Sequence, residues 1–381
     1  MLVQRFCLVF FVLLIFSHCD SLKKSDDDSQ STVIKKEYVD FCDSYTLISD
    51  GGTISGTQSE CIEIAKDATV VFSGNVVFPK GTEFKINPGV TLKAKGYDTV
   101  SMVLIERGAR INAQGTREKP ITFTSDKPAG ERGPQDWVGL IINGYGQINS
   151  GTERLGEGNT GFFGGEDNSD NSGIMKYVRI YFAGKFLPMQ MAGLNLQGVG
   201  SGTTIHHVLV HRCDEDGIAV FGGSVNMNYI VSTANGDDQL DGTEGWQGKI
   251  QFTVLSVTTW YHEDYYQYSG DRAIELDNNE DKNEANPRTE ISIYNMTAVS
   301  SVANKILHIR RGSKTVFRNL YTAYNSANTQ NEDNCIVSDD PLSEVDFDYA
   351  LLENCGPVGY ISKEDGEFIL GNNITNNNYI P

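Results

Sequence analysis

Nine acidic residues recur across the middle of the chain at intervals of about two dozen residues. Asp214, Glu215 and Asp216 close one glycine-punctuated unit, and Asp237 and Asp238 close the next, 22 residues on. Asp241 opens the following strand, and Asp271, Glu275 and Asp277 open another. If the units stack, these carboxylates converge. Like charges held close raise each other's pKa unless a cation stands between them. A hard cation such as Ca2+ accepts six to eight oxygens at about 2.3–2.6 Å. Asp216, Asp237, Asp238, Asp241, Glu275 and Asp277 are therefore the candidate metal ligands, and Ca2+ the candidate cofactor. The plainer reading is that they make turns and solvated edges.

A second chemistry uses the same residues. Paired carboxylates serve as acid and base in glycoside hydrolysis. A carboxylate set with a cationic base suits lysis of acidic sugars. Asp237, Asp238, Asp241, Arg272, Glu275 and the nearby His262 would form that set. Asp271-Arg272 also reads as a simple corner ion pair.

Trp260, Tyr261, Tyr265 and Tyr266, with Tyr268, form an aromatic loop between units. Such rings stack on sugars or grip a protein, or they form a lid on the flank. Strand alternation would put His207 and His211 on one face and His206 on the other, a candidate two-histidine metal site. Arg310-Arg311 is a basic spot of two residues and no nucleic-acid patch. No phosphate loop, no G-x-S-x-G and no catalytic Cys–His pair stands out.

The elements that must position these groups are short. Gly193 to Asp216, Gly217 to Asp238 and the unit from Gln239 each run strand, glycine turn, strand, polar corner, with starts 24 and 22 residues apart. Ala273–Leu276 with Ile291–Tyr294, and Ile306–Ile309 with Val316–Leu320, repeat the pattern. Val70–Phe72, Val76–Phe78, Phe84–Ile86 and Thr91–Lys93 read as the first coils. No long stretch keeps a helical period. The repeat is too short for a propeller blade and lacks the leucine-rich consensus. The pattern predicts an all-β chain, a parallel β-helix over 70–381 with an N-terminal cap over 38–69. Inward aliphatic ladders form its core, and glycine and asparagine turn its corners in left-handed conformations.

Both ends carry further signals. Arg5 precedes an unbroken apolar run from Phe6 to Phe16, too short to span a bilayer and suited to a signal peptide over 1–18. Phe16-Ser17-His18-Cys19 resembles a lipobox, which makes Cys19 the candidate lipidation site. Residues 19–37 are polar and read as a disordered tether. The expected location is the bacterial cell envelope, lipid-anchored at the outer membrane, with plain secretion as the alternative. Export permits disulfides. Cys42 and Cys61 are 19 residues apart and Cys335 and Cys355 are 20 apart, each gap near one turn of the solenoid, so each pair could staple an end. Cys213 is left as a buried apolar residue. The formal charge of −19 opposes binding to nucleic acid or an anionic membrane surface. Membrane association is expected through the lipid alone, and the chain is expected to be a monomer.

Several stretches resemble a bacterial family of exported and lipid-anchored right-handed parallel β-helix proteins of uncharacterised function. They include Ile86-Asn87-Pro88-Gly89-Val90, the run Asp136 to Gly144, Gly164 to Gly173, Asn195 to Ile205, Asp214 to Gly223, Asn235 to Asp238 and Gly270 to Glu275. The resemblance covers roughly residues 70–290 and implies the right-handed fold. Ala219 stands where that family tends to carry an acidic residue. The leading functional expectation is a surface binding or adhesion scaffold for an extracellular protein or polysaccharide. A carbohydrate-active enzyme is the alternative, and a purely structural envelope component the third.

Overall fold

The computed structural model describes residues 41–96, 100–184, 190–262, 265–302, 306–324, 335–338, 340–354 and 374–377. The expected signal peptide, Cys19 and the tether over 19–37 lie outside them, as do Cys355 and the side chains of Trp260, Tyr261, His262, Tyr265 and Tyr266.

Among the described residues, strands join into one 24-stranded sheet, and helix is confined to a three-residue 3-10 turn at Glu157–Asn159. No helix among them is long and apolar enough to cross a membrane. Each short strand pairs in parallel with its counterpart one coil later. Leu194–Gln197 pairs with Ile218–Phe221, which pairs with Leu240–Thr243, which pairs with Ile274–Asp277, which pairs with Leu307–Arg310. The chain is a parallel β-helix.

Register explains the core. Leu140, Leu194, Ile218, Leu240, Ile274, Leu307 and Ile336 occupy one inward column, each at the same position on successive strands. The neighbouring inward column runs Ile142, Leu196, Val220, Gly242, Leu276 and Ile309. Its one glycine has a steric cause. A Cβ at Gly242 would lie 2.7 Å from Leu276 Cδ2 and 2.8 Å from Trp246 Cε3. The Trp246 indole, fully buried, fills the column there, and its Nε1–H donates to the Val225 carbonyl at 3.1 Å. No coil buries its apolar face alone, so stability accumulates along the axis.

The first rungs begin before the expected residue 70. Thr46–Ile48 pairs with Ile62–Ile64, and Thr53–Thr57 with Thr69–Phe78, all in parallel. Cys42 and Cys61 are bonded, their Cα atoms 6.5 Å apart. Cys335 is also disulfide-bonded. Cys213 is free and buried, as expected.

The corners differ from expectation. The longer strands bend midway, and at the bend most carry side chains larger than glycine or asparagine. Tyr177, His207, Tyr229, Phe252, Asn295, Asn319 and Tyr349 all have positive φ, between 51 and 61°. Their rings stack on the outside: Tyr177 on His207 at 4.2 Å, His207 on Tyr229 at 4.4 Å, Tyr229 on Phe252 at 4.8 Å. The bend also breaks strand alternation. His206 and His207 both lie outward, with their Nδ1 atoms facing each other, so the expected split of His206 from His207 does not occur.

Candidate functional site

The short strands have an outward column as well as their inward ones. It runs Leu104, Ile141, Asn195, Ala219, Asp241, Glu275, His308 and Val337. Its chemistry changes along the axis. At the N-terminal end Leu104 and Ile141 pack with Met102, Val138 and Met191 in a small apolar cluster separate from the main core. Asn195 then ties down the 190s segment, donating to the Ala192 carbonyl at 2.7 Å. From Asp241 to His308 the column is ionisable.

Glu275 is 7% exposed and is the centre of an ion-pair cluster. Arg272 Nη1 lies 2.5 Å from its Oε2, and His308 Nδ1 is 3.3 Å from the same oxygen. Arg310 Nη2 contacts its other oxygen and Arg310 Nε donates to Asp277 Oδ1 at 2.6 Å. Arg311 completes Asp277 at 2.6 Å. Burial alone would raise the Glu275 pKa, but the His308 hydrogen bond and the two arginines outweigh it and hold the carboxyl below its ordinary value. Asp277 is raised, by burial first, with Arg310 opposing.

Asp241 is the register partner of Glu275 and has the opposite environment. Its carboxyl group makes no hydrogen bond among the described residues. Burial, then the charges of Asp277 and Glu275, push its pKa well up, with Arg310 opposing. Asp216 and Asp238 are also pushed well up, by burial first and then by neighbouring carboxylates. Asp237 is raised by burial and by Asp271.

The corners bring three of the expected ligands together. Carboxylate oxygens of Asp216, Asp237 and Asp238 lie within 4.8 Å of one another. Asp241, Glu275 and Asp277 continue the set along the strands, where arginines neutralise the last two. The Asp271-Arg272 corner pair forms at 2.6 Å, and the same guanidinium also serves Glu275.

Over the same flank lies an insertion, residues 144–172. Asn143 Nδ2 donates to the Thr160 carbonyl at 2.7 Å, and Phe163 meets Phe221 with ring centroids 6.2 Å apart. Arg154 pairs with Glu244 at 2.5 Å and sits over both of those rings. The insertion brings Glu157 near the corner acids. Glu215 is pushed up to about 7 by burial, then by Asp237, Asp214 and Glu157.

Arg310, Arg311, His308 and Glu157 were not placed in the site by sequence. Arg310 and His308 had a readable signal. Ile274-Glu275-Leu276-Asp277 and Leu307-His308-Ile309-Arg310 share one alternating pattern, so in a solenoid His308 must sit beside Glu275 and Arg310 beside Asp277. The backbone at Thr259–His262 and Tyr265–Ser269 forms an antiparallel hairpin, the element that carries the expected aromatic set.

These features define a parallel β-helix protein with a charged outward face bounded by an insertion. The chain belongs to the pectate-lyase-like β-helix domain family, whose profile matches residues 56–350. No curated protein matches it. Among solved structures it is similar to the enzymatically active domain of tailspike protein 2 of bacteriophage CBA120, at 14% identity and a TM-score of 0.46, covering 86% of this chain and 38% of that one. The chain thus spans under two-fifths of that relative's length. It is also similar to the Dettilon tailspike protein (12% identity, TM-score 0.34, 86% of this chain and 61% of that one). A third is the periplasmic alginate epimerase AlgG (10%, 0.29, 87% and 76%).

Proposed function

We propose that this protein is carbohydrate-active and that Asp241 and Glu275 are its acid and base. One observation carries the reading. The two residues are register partners on adjacent strands, with Glu275 gripped by Arg272, Arg310 and His308 and the Asp241 carboxyl left without a hydrogen bond among the described residues. Carboxyl groups driven into different protonation states by their surroundings are how enzymes assign acid and base. Membership of a pectate-lyase-like family supports a saccharide ligand. Incubation with a panel of neutral, amino-sugar and uronic-acid polysaccharides tests it. New reducing ends, lost in Asp241→Asn, are the expected result. No product from any polymer would sink it.

A binding-only reading is favoured by the same grip on Glu275: two arginines and His308 hold its carboxyl group, an arrangement that suits a fixed recognition surface as well as a reacting group. It predicts retention on a polysaccharide column without cleavage. In either reading we propose display at the cell envelope through lipid on Cys19. A Cys19→Ala chain that still partitions with the detergent phase would argue against that anchor.

A further inference from the structure

We propose that His206 and His207 bind a divalent transition-metal ion of the copper–zinc type on the outside of the coil, through their Nδ1 atoms. Successive residues of a strand ordinarily face opposite sides of the sheet. These two do not, because the strand bends at His207, whose backbone is left-handed with φ of 57°. The bend turns both rings outward, and their Nδ1 atoms lie 2.5 Å apart. The rings are tilted by 54° with centroids 4.2 Å apart, so the two nitrogens address one point between them. Neighbouring coils hold the pair. Tyr177 stacks on one face of His207 at 4.2 Å and Tyr229 on the other at 4.4 Å, and Tyr229 also meets His206 edge-on at 5.0 Å. Packing of this kind sets ring orientation before a ligand arrives.

The surroundings select the class of ion. The register column through His206 runs Gln114, Lys176, His206, Asn228 and Gln251, with no carboxylate. A hard, oxygen-seeking cation finds no ligand charge there, whereas imidazole nitrogen suits Zn2+, Cu2+ and Ni2+. Both rings are in the metal-binding, neutral form at pH 7. Burial first, then the Lys176 charge, lowers the His206 pKa, and burial, then His206 and Lys176, lowers that of His207 to about 4. In the metal-free pair one Nδ1–H donates to the other Nδ1. Binding shifts that ring to its Nε2–H tautomer, which frees both Nδ1 lone pairs with no net loss of a proton. Bonds of roughly 2.0–2.1 Å at a tetrahedral angle place the two nitrogens about 3.3 Å apart. The partly exposed rings reach that spacing by parting less than about 1 Å. Two protein ligands leave the remaining positions of the ion to water or an exogenous molecule.

Titration calorimetry of the full chain in chelator-treated buffer tests this, with ZnCl2 and CuCl2 as separate titrants. Saturable binding is expected, weakened at least about tenfold in His206→Gln and in His207→Gln. His211→Gln should leave it unchanged, because His211 Nδ1 is engaged by Thr233. Lys176→Gln removes a positive charge beside the pair and should tighten binding by about threefold or more. Electron paramagnetic resonance of the Cu2+ form should show two coupled imidazole nitrogens in the natural chain and one in either single variant. Should His207→Gln fail to fold for want of its two stacked tyrosines, His206→Gln reads the same loss from outside that stack. No saturable site for either ion overturns the proposal. So does binding that His206→Gln leaves unaltered, or that His211→Gln abolishes.

Discussion

Asp241 and Glu275 sit side by side on neighbouring strands, and the protein treats their carboxyl groups in opposite ways. Burial raises both, but only Glu275 has a histidine and two arginines close enough to reverse the effect. The two isosteric amides should therefore behave differently. Glu275→Gln leaves Arg272 and Arg310 short of a buried counter-charge and should cost about 3 kcal/mol of unfolding free energy. Asp241→Asn removes a partly buried carboxyl that has no such partner, so stability should hold or rise. Cleavage should still fall by about a hundredfold or more. Urea denaturation and a reducing-end assay on the same two variants check both halves. Equal destabilisation would show that the environments are not distinct.

The aromatic ladder at the strand bends gives a second contrast. Tyr229 and Tyr349 share the left-handed conformation, at φ of 56° and 59°. A non-glycine residue there costs about 1–2 kcal/mol. Tyr229 recovers the cost through ring contacts with His207 and Phe252 at 4.4 and 4.8 Å, whereas Tyr349 is 61% exposed. Tyr349→Gly should thus be neutral or stabilising by up to about 1 kcal/mol. Tyr229→Gly should destabilise by about 1–2 kcal/mol, because two stacked pairs are lost for one strained residue relieved. Thermal unfolding of the two variants decides it.

These bends mark where the sequence was legible and where it was not. Alternating aliphatic residues separated by glycine turns gave the coil, because inward columns such as Leu194, Ile218, Leu240 and Ile274 must be apolar at one fixed spacing. The bends were hidden. Tyr177, His207, Tyr229 and Phe252 look like ordinary strand residues, and only stacking between coils makes their left-handed backbone tolerable. The same holds at the site. The corner acids were visible as a cluster, but the Arg310 and His308 partners lie more than 30 residues beyond Glu275, across an acidic insertion at 277–287, and only the alternating pattern shared by residues 274–277 and 307–310 would have aligned them. Gly242 interrupts an inward aliphatic column with no sign in the sequence that Trp246 takes the space it leaves.

Trp137 ties the first coils together and should be among the most sensitive core positions. It is 1% exposed, meets Phe72 edge-on at 5.5 Å and Phe123 in a stack at 6.2 Å, and donates from Nε1 to the Tyr181 carbonyl at 2.8 Å. Trp137→Ala removes the ring and leaves that carbonyl without its donor, a loss of about 4 kcal/mol. Trp137→Phe keeps most of the packing and should cost about half as much. A chemical-denaturation midpoint unchanged in Trp137→Ala would mean that these coils do not carry the cooperative unfolding.

His211 supplies a pH dependence whose sign follows from its surroundings. The ring is partly buried, its Nδ1 lies 2.8 Å from Thr233 Oγ1, and Arg212 is adjacent. Burial first, then the Arg212 charge, lowers its pKa from 6.5 to about 4, against a smaller opposing effect of the Thr233 hydrogen bond. Above pH 6.5 the ring is neutral whether the chain is folded or not, and its contribution is fully present. As the pH falls from 6.5 towards 4 the unfolded chain takes up a proton that the folded chain refuses, and stability is lost. The loss should be about 2 kcal/mol once the ring's partial exposure is allowed for. His211→Gln can still hydrogen-bond Thr233 but does not titrate. Its unfolding free energy should therefore decline less steeply than that of the natural chain between those two pH values, while the two lines run parallel above pH 7. Parallel lines through the whole range would show that His211 is free to protonate in the folded coil.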